Sequence, residues 1–148
     1  MDIMHIKSPV DTRTVAALRV GTRVLISGII YAARDAAHRR LVQALERGEE
    51  LPLDLDGQTV FYMGPSPARP GQVIGAAGPT SGYRMDIYTP HLIAVGLRAM
   101  VGKGNRSQPV KEAVKEYQAV YFAAIGGAGA LLAKSIKSAE IVAYADLG

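Results

Sequence analysis

Cysteine is absent from this sequence. The chain therefore forms no disulfide, offers no thiolate to a metal and has no cysteine nucleophile. Histidine is scarce: His5, His38 and His91 are the only three, too few for an ordinary zinc site without acidic help. Any soft metal in this protein's chemistry has to sit on another chain. Charge is sparse too. Charged residues make up 20% of the 148 and hydrophobic residues 49%, the balance of a folded, rather apolar domain and not of a disordered tail. No window reaches the apolar length that spans a bilayer. The longest candidate, Ala119–Ala133, is broken by Gly126, Gly127 and Gly129. Asp2, His5 and Lys7 stand where a signal peptide would need its apolar core. These absences predict a soluble, cytoplasmic protein of one domain, residues 1–148, with enough chain to bury a real core.

What is present leans basic. There are 17 Lys and Arg against 13 Asp and Glu, a net charge of +4, which suits an anionic partner. Nucleic-acid platforms interleave basic residues with exposed aromatics. Here the aromatics fall in apolar runs such as Val60-Phe61-Tyr62 and Val120-Tyr121-Phe122, so a small anion fits the pattern better.

No repeat, low-complexity tract or linker divides the chain. Val24–Tyr31 reads as a buried strand, followed by a helix over Asp35–Arg47 with Ala37, Leu41 and Leu45 on one stripe and Gly48 as its stop. Gln58–Met63 reads as a second strand ended by the breaker-rich run Gly64–Pro70, and Val73–Ala76 as a short third. Helix is expected again over Asp86–Leu97, disturbed at Pro90, and from Pro109 to Tyr117 with the proline in the first turn. Ala119–Ile125 reads as a central strand that feeds the small-residue run Gly126–Ala130 and a helix to about Ile136. Glu140–Tyr144 reads as a last strand. Alternating strands and helices predict an α/β fold with a mixed, partly parallel sheet and flanking helices. The strand-rich early half is expected to curl into a barrel-like layer.

Chemistry-bearing residues gather where elements meet, the usual ligand position in α/β proteins. Arg34 follows a strand and precedes a helix, and its planar fork suits a carboxylate. The plainer alternative is a local ion pair with Asp35, which would also cap the helix. Thr80 and Ser81 place two hydroxyls on a turn into a helix, where free backbone N–H groups favour an anion; simple capping by either hydroxyl is the plainer reading of this turn on its own. Arg84, four residues on, reaches the same region. Lys103 lies between Gly102 and Gly104, either as an exposed loop lysine or where a ligand can approach the backbone. The Gly126-Gly127-Ala128-Gly129 run is no dinucleotide fingerprint, because Leu132 stands where the last glycine belongs. No serine sits in a nucleophile elbow and no histidine has an evident carboxylate partner. The residues by themselves describe an anion-binding α/β domain.

The order of segments adds to this. ISGIIYAARDAAHRRL (26–41), GPTSGYRMDIYTP (78–90), VGKGNRS (101–107), AVYFAAIGGAGALLAKSI (119–136) and the closing AYADLG closely resemble class I fumarate hydratases, in the β subunit or the equivalent C-terminal domain of single-chain enzymes. The resemblance runs from about Arg19 onward. It rests on the combination of RDAAH, GPT with RMD, and GKG, none of which is specific alone. It implies a swivelling β/β/α domain and reversible hydration of fumarate to L-malate. It also implies a [4Fe–4S] cluster held by three cysteines of an α-subunit partner and not by this chain, and a higher oligomer. Matched by motif, Arg34, Arg84 and Lys103 would bind the substrate carboxylates, and Thr80 would act as base at the carbon that loses its proton. No residue here would bind metal. Ser81 replaces the second threonine common in the family, and the family pattern continues past Asp146-Leu147-Gly148. The related L-tartrate dehydratase β subunit shares the scheme, and a non-catalytic anion-binding or assembly module is the reading from another class.

Overall fold

The computed structural model describes residues 3–63, 70, 79–124 and 142–147. In chain order these contain β1 (Ile3–Ser8), α1 (Thr12–Ala17), β2 (Arg23–Gly28), β3 (Tyr31–Ala32), α2 (Asp35–Glu46) and β4 (Thr59–Phe61). A 3₁₀ turn (Gly82–Met85) follows, then α3 (Thr89–Ala94), β5 (Ala99–Gly102), α4 (Gln108–Glu116), β6 (Val120–Ala123) and a closing 3₁₀ turn (Ala145–Leu147). Strands β3-β4-β5-β6 form a four-stranded parallel sheet in that order, while β1 and β2 pair in parallel as a separate two-stranded sheet. An antiparallel bridge joins Met63 to Pro79. The fold is α/β with parallel sheets and flanking helices, as the alternation of elements predicts.

Parallel strands need crossovers, and α2, α3 and α4 supply them on the four-stranded sheet. In α2 the buried positions are His38, Leu41, Val42 and Ala44, an i, i+3, i+4 stripe. Of the expected stripe, Leu41 is in the core and Leu45 packs against it, while His38 and not Ala37 is the buried residue of the first turns, because a repeat of four drifts off a 3.6-residue turn. In α4, Pro109 lies in the first turn and Val110 and Ala113 face inward. These helices cover Val60, Tyr62 and Met100, and with Leu92, Ile93 and Leu97 they form one core cluster. Leu92, Ile93, Leu97 and Met100 are each at most 2% exposed, and full burial of each such side chain contributes roughly 1.5–3 kcal/mol.

Several expectations need correction. Val24–Tyr31 is not one buried strand but β2 and β3, in different sheets, and Leu25 is 54% exposed. The break is Gly28, at φ +96°, where a Cβ would lie 2.5 Å from the Ser8 carbonyl oxygen; only glycine takes that turn at that distance. The barrel-like layer is absent among the described residues, which place β1 and β2 in their own small sheet. The helix expected over Asp86–Leu97 reaches only from Thr89 to Ala94, preceded by the 3₁₀ turn. Pro90 starts it rather than disturbing it, since a proline in the first turn loses no intrahelical bond. Strand β6 is last in the order of its sheet among the described residues, not central. Val142–Tyr144 is not strand. The expected strand at Val73–Ala76, the Gly126 run, the helix to Ile136 and Glu140–Ile141 lie outside the described residues. The N-terminal β1 and α1 were not expected at all. α1 is nucleated by Asp11, whose carboxylate accepts from the Thr14 N–H at 2.8 Å.

Candidate functional site

Because β3 to β6 are parallel, their C-terminal ends open onto one edge of the sheet. Arg34 follows β3, Tyr62 and Met63 follow β4, and Lys103 follows β5. Arg34 is the residue preceding α2, its backbone extended (φ −119°, ψ −160°), its side chain exposed and making no capping bond. The local pair with Asp35 is not formed. Asp35, in the first turn of α2, instead takes Arg84 in a two-point grip: Nε donates to Oδ2 at 3.0 Å and Nη2 lies 2.9 Å from Oδ1. That contact brings the 3₁₀ turn onto the start of α2, at the residue next in sequence to Arg34. The fork geometry is what a guanidinium offers and an ammonium does not.

Thr80, half-buried, is stitched in from both sides by backbone bonds. Its N–H donates to the Tyr62 carbonyl at 2.6 Å, and its carbonyl accepts from the Lys103 N–H at 3.1 Å. The Gly82 N–H then donates to the Lys103 carbonyl at 2.8 Å, so Ser81 and Lys103 form a parallel bridge. The segment carrying Thr80 thus lies between the chain leaving β4 and the chain leaving β5, and fixes the Lys103 turn next to it. Ser81 occupies the cap position of the 3₁₀ turn without a side-chain capping bond, so capping does not account for it. The close approach requires glycine. A Cβ on Gly82 would meet the Tyr121 hydroxyl at 2.7 Å and Arg106 Cδ at 2.8 Å, and one on Gly102 would meet the Tyr62 ring at 2.7 Å.

Beneath these segments lies a polar cluster to which the sequence reading assigned no role. Arg106, 8% exposed, has its guanidinium carbon 5.1 Å from the centroid of Tyr62 and 4.7 Å from that of Tyr121. Its Nε donates to Asp86 Oδ1 at 2.7 Å and its Nη2 to Thr89 Oγ1 at 2.8 Å, while Asp86 Oδ2 accepts from the Ser107 N–H at 2.7 Å. Thr89 gives its own proton to the Met85 carbonyl at 2.9 Å, so the Tyr62 hydroxyl is the donor in its 3.4 Å contact with Thr89. The Tyr121 hydroxyl is buried without a partner among the described residues, and burial pushes it up to about 12, keeping it protonated. Burial raises Tyr62 as well. The one sequence signal for this cluster was that Arg106 and Asp86 both lie within the quoted stretches 101–107 and 78–90.

His38, in α2, is fully buried. Its Nδ1 lies 2.7 Å from the Arg34 carbonyl, an acceptor only, so Nδ1 carries the proton and donates. Burial drives this imidazole down to about 4, against the weaker opposing effect of that bond. A neutral His38 therefore holds the turn from which Arg34 projects. Its Nε2 is buried without a partner among the described residues, which also hold no group of His, Asp or Glu side chains placed to bind a metal ion.

The four residues singled out by motif are thus linked: Arg34 adjoins Asp35, Asp35 grips Arg84, and the turn before Arg84 is stitched to Thr80 and Lys103. Three exposed cations and one hydroxyl on a sheet edge suit a small molecule bearing carboxylates. They do not suit an iron–sulfur cluster, which needs thiolates: the chain has none, and the exposed charged groups are cationic.

The chain is 42% identical over 131 residues to the aerobic class I fumarate hydratase of Escherichia coli strain K12, a match covering 87% of this chain and 24% of that one. It is 36% identical over 149 residues to fumarate hydratase 2 of Leishmania major, covering 98% and 26%. The chain therefore spans about a quarter of the length of these fumarate hydratases. It is also 35% identical over 137 residues to a putative L(+)-tartrate dehydratase subunit beta of Methanocaldococcus jannaschii, covering 90% of this chain and 70% of that one. The family described as Fumarase C-terminus matches residues 2–148, essentially the whole chain, and the protein belongs to that family.

Proposed function

We propose that this chain is the β subunit of a two-part hydro-lyase that hydrates fumarate reversibly to L-malate, active only with an α-subunit partner in a higher oligomer. The observation that carries the reading is the joining of Arg34, Arg84, Lys103 and Thr80 along one sheet edge in a member of the fumarase C-terminal family. Arg34, Arg84 and Lys103 bind the two substrate carboxylates. Thr80 moves the proton at the carbon beside one of them. An alcohol is a poor base in water, so that role depends on nearby cations stabilising the charge it places on the oxygen. The family's [4Fe–4S] cluster belongs to the partner, and no step on this chain passes through it. The domain, residues 1–148, works in the cytoplasm; among the described residues no helix is long and apolar enough to cross a membrane.

A second reading is dehydration of tartrate, favoured by the 70% of a putative tartrate dehydratase β subunit that this chain covers, against 24% of the first fumarate hydratase. Anaerobic reconstitution of the pair with iron and sulfide, followed by assays on fumarate, mesaconate and tartrate, separates the two. Fumarate is expected to be the preferred substrate, and the chain alone is expected to stay colourless and inactive. A brown, active preparation of this chain alone would overturn the two-part reading, and a reconstituted pair inert toward every dicarboxylate would overturn the hydro-lyase reading.

A further inference from the structure

We infer that Arg106 is a positioning residue for the dicarboxylate site: it ties the Lys103 turn to the Thr80–Arg84 segment from beneath, and so sets the spacing of the two cations that hold substrate. This rests on the functional reading above and deepens it.

Arg106 lies three residues beyond Lys103, on the connection from β5 to α4, and its side chain runs back under the neighbouring segment. Nε and Nη2 bond Asp86 and Thr89, which follow closely on the 3₁₀ turn that carries Arg84. Asp86 returns the tie by accepting from the Ser107 N–H, so both oxygens of one carboxylate are bound to the Lys103 side. The guanidinium is sandwiched between Tyr62 and Tyr121, one following β4 and the other on β6, which fixes its plane against the sheet. Directly above, Gly82 and Gly102 leave no room for a Cβ, so the segments rest on this cluster without slack.

Arg106 does not itself bind substrate. It is 8% exposed, and two of its three nitrogens are committed to protein groups. The backbone bonds between Thr80, Gly82 and Lys103 give the segments a register, but two or three bonds at a sheet edge fray readily. Arg106 with Asp86 closes the far side of the same loop pair. A buried, fully oriented fork of this kind is stronger than a surface pair and costs much to break on one side only.

The test has two arms. In the isolated full-length chain, amide hydrogen exchange is measured for Arg106→Lys, which keeps the charge and loses the fork. Exchange at Gly82 and Lys103 is expected to quicken by roughly tenfold or more, while the Tyr62 and Tyr117 amides, bonded to Val101 and Ala113, keep wild-type protection. In the enzyme assembled with its partner, the inhibition constant of the unreactive dicarboxylate succinate is expected to rise by a similar factor. Asp86→Asn, which keeps the shape and weakens the fork, gives the same pattern at smaller amplitude and serves if Arg106→Lys does not fold. Unchanged exchange at Gly82 and Lys103, or a uniform increase across the chain, would overturn the tie. Local loosening with an unchanged succinate constant would overturn its role in the site, since a merely structural residue lowers the active fraction without altering affinity. An assembled wild-type enzyme without hydratase activity defeats the functional reading alone, and the exchange arm still decides the tie.

Discussion

Replacing Arg84 by lysine separates charge from geometry at the site. Arg84 spends Nε and one Nη2 hydrogen on Asp35, at 3.0 and 2.9 Å. A guanidinium has five donors in a rigid plane, so its outer edge, Nη1 with the second Nη2 hydrogen, remains for a substrate carboxylate. Lysine carries the same charge on one nitrogen and cannot hold Asp35 and a carboxylate in that fixed relation. The effect on stability is small. The pair is 44% and 39% exposed, so screening leaves it about 1 kcal/mol or less, or ~3 °C in Tm for a chain of this size. The effect on turnover is larger, because the lost fork acts where the proposed function puts the dianion: kcat/KM for malate dehydration is expected to fall by about 1–3 kcal/mol, roughly fivefold to more than a hundredfold. Asp35→Asn leaves Arg84 charged but unaimed, and its cost is expected mainly in KM. The assay is initial-rate kinetics in the reconstituted enzyme, with circular dichroism and thermal melts on the same samples. A folded Arg84→Lys enzyme with kcat/KM within about twofold of wild type would refute the reasoning and return Arg84 to a structural role.

Thr80→Ala is expected to lower kcat by roughly a hundredfold or more with little change in KM, while Ser81→Ala does much less; near-normal turnover of Thr80→Ala in rate assays would remove Thr80 from the chemistry. His38, enclosed by Tyr62 and Tyr88 with Asp35 and Arg106 nearby, has a folded pKa of about 4, below its ordinary 6.5, so the unfolded chain takes up the proton first as pH falls. Stability is unaffected by this residue above about pH 6.5 and declines between 6.5 and 4 by up to ~3 kcal/mol. In urea titrations at several pH values His38→Gln should lack that decline, and an unaltered slope would show that His38 is not its source. Gly82→Ala should cost about 1–3 kcal/mol by driving a methyl into Tyr121 and Arg106. Tyr121→Phe, which removes the oxygen 2.7 Å from that Cβ position, should recover part of it, and strictly additive costs in thermal melts would contradict the contact.

How far the sequence is legible depends on the range of the interaction. Helices α2 and α4 announce themselves through local signals, Gly48 after one and Pro109 at the start of the other, and both run where expected. The split between β2 and β3 does not, because apolar residues resume at Ile29 and Ile30 directly after Ser27-Gly28. The reason for the break, the approach of Gly28 to the Ser8 carbonyl, lies twenty residues away along the chain. The site shows the same limit. Lys103 and Thr80 could be picked by motif, yet Asp35, for which the sequence offered only a pairing with Arg34 next to it as an alternative, serves Arg84 across 49 residues. Arg106 and Asp86 drew no role because a charged side chain is surface by default, and only the fold shows that these two share one buried pair.

That buried pair bears on the charge balance of the site. Arg106 and Asp86 neutralise each other inside, so the cluster adds rigidity and no net field. At the surface Arg34, Arg84 and Lys103 stand against the single carboxylate of Asp35, leaving two positive charges, the number that a dicarboxylate neutralises. Holding like charges on one edge has a Coulombic cost in the empty site, moderate because the groups face water. A dianion relieves it; a monocarboxylate relieves half. Under the proposed function, discrimination between them draws on this electrostatic imbalance and is expected to weaken with added salt. On that reading a partner subunit completes the pocket around a preference for two carboxylates to which these side chains contribute.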